Sequence, residues 1–201
     1  MEEDQKFQDE IKELMQKKGN VKGEAINFHA AFIIHKAGKE GLKKVEKKLI
    51  ELGYPVEFDK LVDYKMYPAS LAILVAIVAV KEFNWSDDVI REWGKFNLKN
   101  SFVLKMLLRY FISLDKLIQV VPKYWRKEYD FGSVEITKTE NEKEVTIRIK
   151  DYDLHPVNCI AFGAMAEELI KYVVRAEKIW AKETKCMHQG DEFHEYIVNW
   201  Q

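Results

Sequence analysis

Lys185-Cys186-Met187-His188-Gln189-Gly190-Asp191-Glu192-Phe193-His194-Glu195-Tyr196-Ile197-Val198-Asn199-Trp200 reads as the closing half of a tight β-hairpin. The run before it, Lys178 to Thr184, is strand-like, as is Glu192 to Trp200. Gln189-Gly190-Asp191 between them is turn chemistry, with Gly190 able to take the positive φ such a turn requires. With the turn centred on Gly190, Cys186 faces His194 and His188 faces Glu192. Directly opposed side chains have Cβ atoms about 4.5–5.5 Å apart, close enough for a thiolate and an imidazole to share one metal ion. Cys159, the only other cysteine, is a third soft ligand.

Working outward, the period is helical at first. Residues 2–18 carry Phe7, Ile11, Leu14 and Met15 at helical spacing and stop near Gly19. Residues 25–37 and 39–52 give two further helical patterns, the second ending at Gly53. A connector over 54–65 leads to Tyr67-Pro68, which opens an apolar helix through Leu71, Ile73, Leu74, Ile77 and Val78. Ser86 is a good N-cap, with Asp87 and Asp88 in the first turn of a helix to about Phe96. A helical stretch follows from Asn100 or Ser101, and another from Ser113 to Tyr124, bent at Pro122.

The period then falls to two. Residues 131–138 and 145–150 alternate around the polar turn 139–143, which predicts a first hairpin. His155-Pro156 opens a helix to about Val174, and the terminal hairpin follows. The fold class is α+β: N-terminal helices packed with a small antiparallel sheet of two β-hairpins around a late helix. Residues 1–201 read as a single domain, with 1–65 a candidate helical N-terminal lobe.

The 32 basic and 33 acidic residues are well mixed, with a net charge of −1. A nucleic-acid or anionic-membrane surface needs a one-signed patch, so neither partner is expected. The charge-free apolar run from Met66 to Val80 is short of the roughly 20 residues that span a bilayer. Residues 1–18 are highly charged, unlike a signal peptide, and two cysteines suit thiols or metal ligands better than a disulfide framework. A cytoplasmic location is expected.

The pattern Cys-x3-Gly-x3-ligand-x5-Trp, here Cys186, Gly190, His194 and Trp200, resembles the terminal hairpin of one superfamily. Its members are the heme nitric-oxide/oxygen binding (H-NOX) domains, the 4-vinyl reductase ligand-binding domains and the phenol- and toluene-sensing domains of bacterial activators. The TRAPP trafficking subunits share the fold. Tyr67-Pro68, Glu92-Trp93-Gly94-Lys95-Phe96 and Pro122 to Tyr129 look similar to a heme-free subgroup, so the resemblance spans most of residues 20–200.

The resemblance implies a zinc site formed by Cys159, Glu183, Cys186 and His194, with His in place of the family's last Cys. Three residues from Cys186 on a regular strand, Glu183 falls on the opposite face, so this set requires a bulge. His188, on the face of Cys186, is the alternative fourth ligand, and His155 a more distant one. Family members ligate heme through a histidine in the helix before the position of Pro122. Leu114 to Val121 holds none, no histidine occurs between His35 and His155, and Val145 to Lys150 lacks the Tyr-x-Ser-x-Arg propionate clamp. Zinc without heme is therefore the expected cofactor.

The resemblance implies a heme-free sensor for a small hydrophobic or aromatic molecule or an acyl chain; Tyr110, Phe111, Tyr124, Trp125 and Tyr129 are candidates to line its pocket, with ordinary core packing as the alternative. Such a protein would signal through a partner protein or a homodimer surface. His29 and His35, six residues apart, fall on different helix faces and suit packing or surface roles. Nothing in the sequence resembles a nucleophile–base pair or a phosphate loop, so no enzyme is expected. Two alternatives accompany this reading: an adaptor of TRAPP-like fold with a filled core, and a heme-based gas sensor or tetrapyrrole-related accessory protein.

Overall fold

The computed structural model describes residues 2–100, 113–139 and 143–201. Two compact units divide the sequence, residues 1–86 and 87–201, each with its own core.

In the first unit, α1 (Glu2–Gln16) leads to the short strand β1 (Asn20–Lys22) and to α2 (Gly23–Glu51). Gly38 breaks α2 with φ 72° and ψ 179°, which explains why the sequence reads as two helices there. A single 3-10 turn (Phe58–Lys60) follows, then β2 (Met66–Pro68), which pairs antiparallel with β1 and sets Val21 opposite Tyr67. Strands of three residues are too short to leave a period in the sequence, so this mini-sheet was not expected. Pro68 caps α3 (Ala69–Glu82), whose residues from Ala69 to Ala79 are almost all buried, as its lack of charge demands. Ile26 and Ile33 of α2 and Leu74, Val75 and Val78 of α3 are buried, and the two helices pack on each other.

In the second unit, α4 (Asp87–Asn100) starts after Ser86, and α5 (Leu114–Glu128) is capped by Ser113, whose hydroxyl accepts from the Lys116 N–H at 3.4 Å. α5 runs through Pro122 to Glu128, beyond the expected end at Tyr124. β3 (Ser133–Lys138) and β4 (Glu144–Lys150) form the first hairpin, α6 (Val157–Lys171) follows, and β5 (Ile179–Lys185) and β6 (Phe193–Trp200) form the second. The two hairpins join along β4 and β6 into one antiparallel sheet of order β3-β4-β6-β5. Alternate residues Val145, Ile147 and Ile149 are buried on one face, the pattern of a sheet covered on one side. α6 packs on β5 and β6, α4 packs on α6, and α5 packs on β3. The architecture is α+β. Among the described residues, no helix is long and apolar enough to cross a membrane.

Candidate functional site

The terminal hairpin is less tight than expected. β5 ends at Lys185, and Cys186 leads into a single 3-10 turn (Met187–Gln189) closed by Gly190 at φ 95°. The Asp191 carboxylate ties this loop by accepting from the Cys186 N–H at 2.8 Å. Register is Glu183 opposite Tyr196, then Lys185 opposite Glu195, so one residue is extra on β5. That bulge is the irregularity Glu183 needs to share a face with Cys186.

Four side chains meet here: Cys159 from the first turn of α6, Glu183 from β5, Cys186 from the loop and His194 from β6. One ligand atom from each lies within 4.8 Å of every other. Cys159 Sγ is 3.6 Å from Cys186 Sγ and 3.7 Å from His194 Nδ1, and His194 Nδ1 is 3.3 Å from Glu183 Oε1. Cys159, Cys186 and His194 are buried and Glu183 is half-buried. His188 stands beside the corner, its ring 5.5 Å from that of His194, but its Nδ1 is 3.3 Å from Asp153 Oδ1, it is not one of the four converging donors, and it does not pair with Glu192. His155 Nδ1 accepts from the Val157 N–H at the start of α6.

The surroundings orient the donors. The Tyr152 carbonyl oxygen lies 3.1 Å from His194 Nε2 and accepts its N–H, while Nδ1 faces Cys159 Sγ and Glu183 Oε1, the side from which it would offer its lone pair to a cation. Tyr196 Oη is hydrogen-bonded to the Cys159 carbonyl at 3.1 Å and to Glu183 Oε1 at 3.2 Å. Burial and the nearby Glu183 carboxylate push the Cys159 thiol well above its ordinary value. A cation would reverse that, since thiolate, imidazole and carboxylate are together the donor set of a borderline-soft divalent metal.

Of the expected ligand-lining aromatics, Tyr110 and Phe111 lie outside the described residues. Tyr124 is half-buried on α5. Trp125 and Tyr129 stack on each other at 4.5 Å, joined by Phe131, Tyr152 and Phe162. Trp125 Nε1–H donates to the Phe131 carbonyl at 3.1 Å. Sequence reasoning missed Tyr152, Tyr196 and Phe162. Period two along β6 places Tyr196 on the face of His194 and could have found it; Tyr152 sits in a loop with no periodic signal.

No family model matches the sequence, and no curated protein does. Solved structures do. An H-NOX protein from Shewanella oneidensis in its Fe(II)NO state superposes with a TM-score of 0.67 at 17% identity, over 90% of this protein and 99% of that one. An oxygen-binding H-NOX domain related to soluble guanylate cyclases gives 0.64 at 12% identity, over 90% and 95%. A structure concerned with heme redox potential and protein-induced porphyrin distortion gives 0.65 at 12% identity, over 89% and 99%.

These neighbours correct the expected cofactor. They are described by iron states, heme and porphyrin, and none of the three by zinc, so the expectation of zinc with heme excluded does not stand. The histidines of this protein are placed elsewhere. α5 carries no imidazole, and in the second unit the three histidines are His155, His188 and His194. On β4, the cation Arg148 is held by Glu195 at 2.7 Å. With 90% of its length aligned on these domains, the protein has an H-NOX-like fold.

Proposed function

We propose that this protein is a small-molecule-sensing domain, with heme as the first group to test as its ligand-carrying cofactor. The observation that supports this is the extent of the likeness, 99% of an H-NOX protein aligned on 90% of this one. Heme, if bound, would supply an iron site for a diatomic gas, and among the described residues the phenol of Tyr124 on α5 would be a side chain able to hold it. A second reading has a hydrophobic or aromatic molecule bound directly. It is favoured by the absence of any histidine between His35 and His155. Either way the role is sensing rather than catalysis, with output through a partner protein or a second copy.

The corner of Cys159, Glu183, Cys186 and His194 is proposed as a metal-binding tie between α6 and the terminal hairpin. Four protein donors close a tetrahedral set, which suits structure better than chemistry at the ion.

Titrating hemin into the purified protein tests the sensing role, with absorbance as the readout. A stoichiometric Soret band that shifts under NO or CO is expected. Failure of hemin to bind overturns the heme reading. A rise in melting temperature with hydrophobic aromatic ligands would then support direct binding, and no response to either would leave the adaptor role. Elemental analysis of the same sample reports the metal of the corner.

A further inference from the structure

Tyr152 stands between the four-donor corner and the aromatic cluster, held at one point by a residue of the corner and at another by the residue next to Cys159. Its backbone carbonyl accepts the Nε2–H of His194 at 3.1 Å. Its hydroxyl accepts from Asn158 Nδ2 at 3.0 Å, and Asn158 directly precedes Cys159. Asn158 is itself only 9% exposed, and among the described residues its Oδ1 has no hydrogen-bond partner, so its side chain is oriented by the bond to Tyr152.

The Tyr152 ring, 2% exposed, is the hub of the cluster. It stacks on Phe131 at 5.3 Å and 18°, and meets Trp125 at 5.6 Å, Phe162 at 5.1 Å and Tyr129 at 5.9 Å edge to face. A residue that shares its carbonyl with one site and its ring with another must transmit displacement between them, because close-packed interiors do not absorb it.

We infer that Tyr152 is a positioning residue that couples metal occupancy at the corner to the aromatic cluster at the end of α5. Its carbonyl selects the His194 tautomer that offers Nδ1 to the ion. Coordination at Nδ1 polarises the imidazole, strengthens the Nε2–H bond to that carbonyl and draws Tyr152 toward the corner. The ring then moves against Trp125. The inference rests on the metal reading of the corner.

Fluorine NMR of protein labelled with fluorotryptophan tests it. Trp125 is one of five tryptophans and is assigned by Trp125→Phe. Cadmium(II), a diamagnetic thiophilic probe, is added to chelator-treated protein, and binding is followed independently by calorimetry. The Trp125 resonance is expected to shift in step with the binding isotherm. His194→Cys keeps four donors but removes the Nε2–H. Asn158→Ala keeps all four and removes the hydroxyl tie. Each is expected to bind cadmium with the Trp125 shift reduced or lost, and if one fails to fold the other decides. An unmoved Trp125 resonance in the cadmium-loaded wild type, or an unchanged shift in the variants, overturns the coupling while leaving the metal site intact. No binding heat at all overturns the metal reading and the coupling with it.

Discussion

The Tyr196 hydroxyl shows how much of the corner depends on one atom. Tyr196 is 1% exposed, and its Oη bridges the Cys159 carbonyl and Glu183 Oε1. Burial and the neighbouring thiol push its phenol well up, so it stays a donor across the working pH range. Tyr196→Phe leaves the carbonyl of one ligand residue and the carboxylate of another without that donor, a cost of about 1–3 kcal/mol. The expected result is a lower urea midpoint with an unchanged slope. Metal affinity is expected to fall roughly 10-fold or more, as when the support of a ligand is removed. Three of the four side chains that meet at the corner were legible in the sequence, because thiols and imidazoles are few and the turn at Gly190 sets Cys186 near His194. Glu183 was legible only through resemblance. Its placement depends on a bulge, and strand periodicity argues against any residue that a bulge re-aims.

At the scale of elements, α4 and α6 meet through a carboxylate and a glycine. A side chain at Gly94 would run into the backbone of Ala161, whose Cα would lie 3.1 Å from the new Cβ, so only glycine lets the two helices approach this closely. Beside it, the buried Glu167 takes Lys95 Nζ at 3.0 Å, the Arg91 guanidinium, and the Ala181 N–H of β5 at 3.3 Å. Burial alone would raise the Glu167 carboxyl, but the Lys95 hydrogen bond, the Ala181 N–H and the two cations outweigh it and hold the group below its ordinary 4.5. A depressed folded value means that the stabilisation is fully present above the ordinary value. It is lost as pH falls through the depressed one. Glu167→Gln is expected to destabilise by about 1–3 kcal/mol near neutrality, charged hydrogen bonds having been replaced. The gap between wild-type and variant urea midpoints should narrow as pH is lowered below 4.5; a constant gap would exclude the charge as its source. Sequence spacing foretold both helices but not this contact, since nothing in a period of 3.6 says which charged residue faces a partner helix. The break at Gly38 and the positive φ at Gly190 were both read from the sequence, whereas the 3-10 turn Met187–Gln189, which has no period of its own, was not.

At the scale of the molecule, the architecture was the most legible feature and the cofactor the least. Helices, a hairpin, a helix and a second hairpin follow from the change of hydrophobic period, and burial of alternate residues on β4 confirms the one-sided sheet. A cofactor depends on a few side chains rather than on a period, and the missing imidazole spoke against heme while the fold aligns with heme domains. The metal corner tests what closes the second unit. Its donors come from α6, β5, β6 and the loop between the strands, so an ion there joins segments that are 27 and 35 residues apart in sequence. An ion that binds only the folded state stabilises by about 2.7 kcal/mol at roughly 100 times its dissociation constant. For a protein of this size, that corresponds to a rise in melting temperature on the order of 5–10 °C. Adding cadmium(II) to chelator-treated protein is expected to produce such a rise by scanning calorimetry, and excess chelator to reverse it. Cys186→Ser removes a thiolate but none of the hydrogen bonds of the sheet, so the variant should fold, melt near the metal-free wild type and gain little from the ion. An equal gain in wild type and variant would place the binding away from this corner.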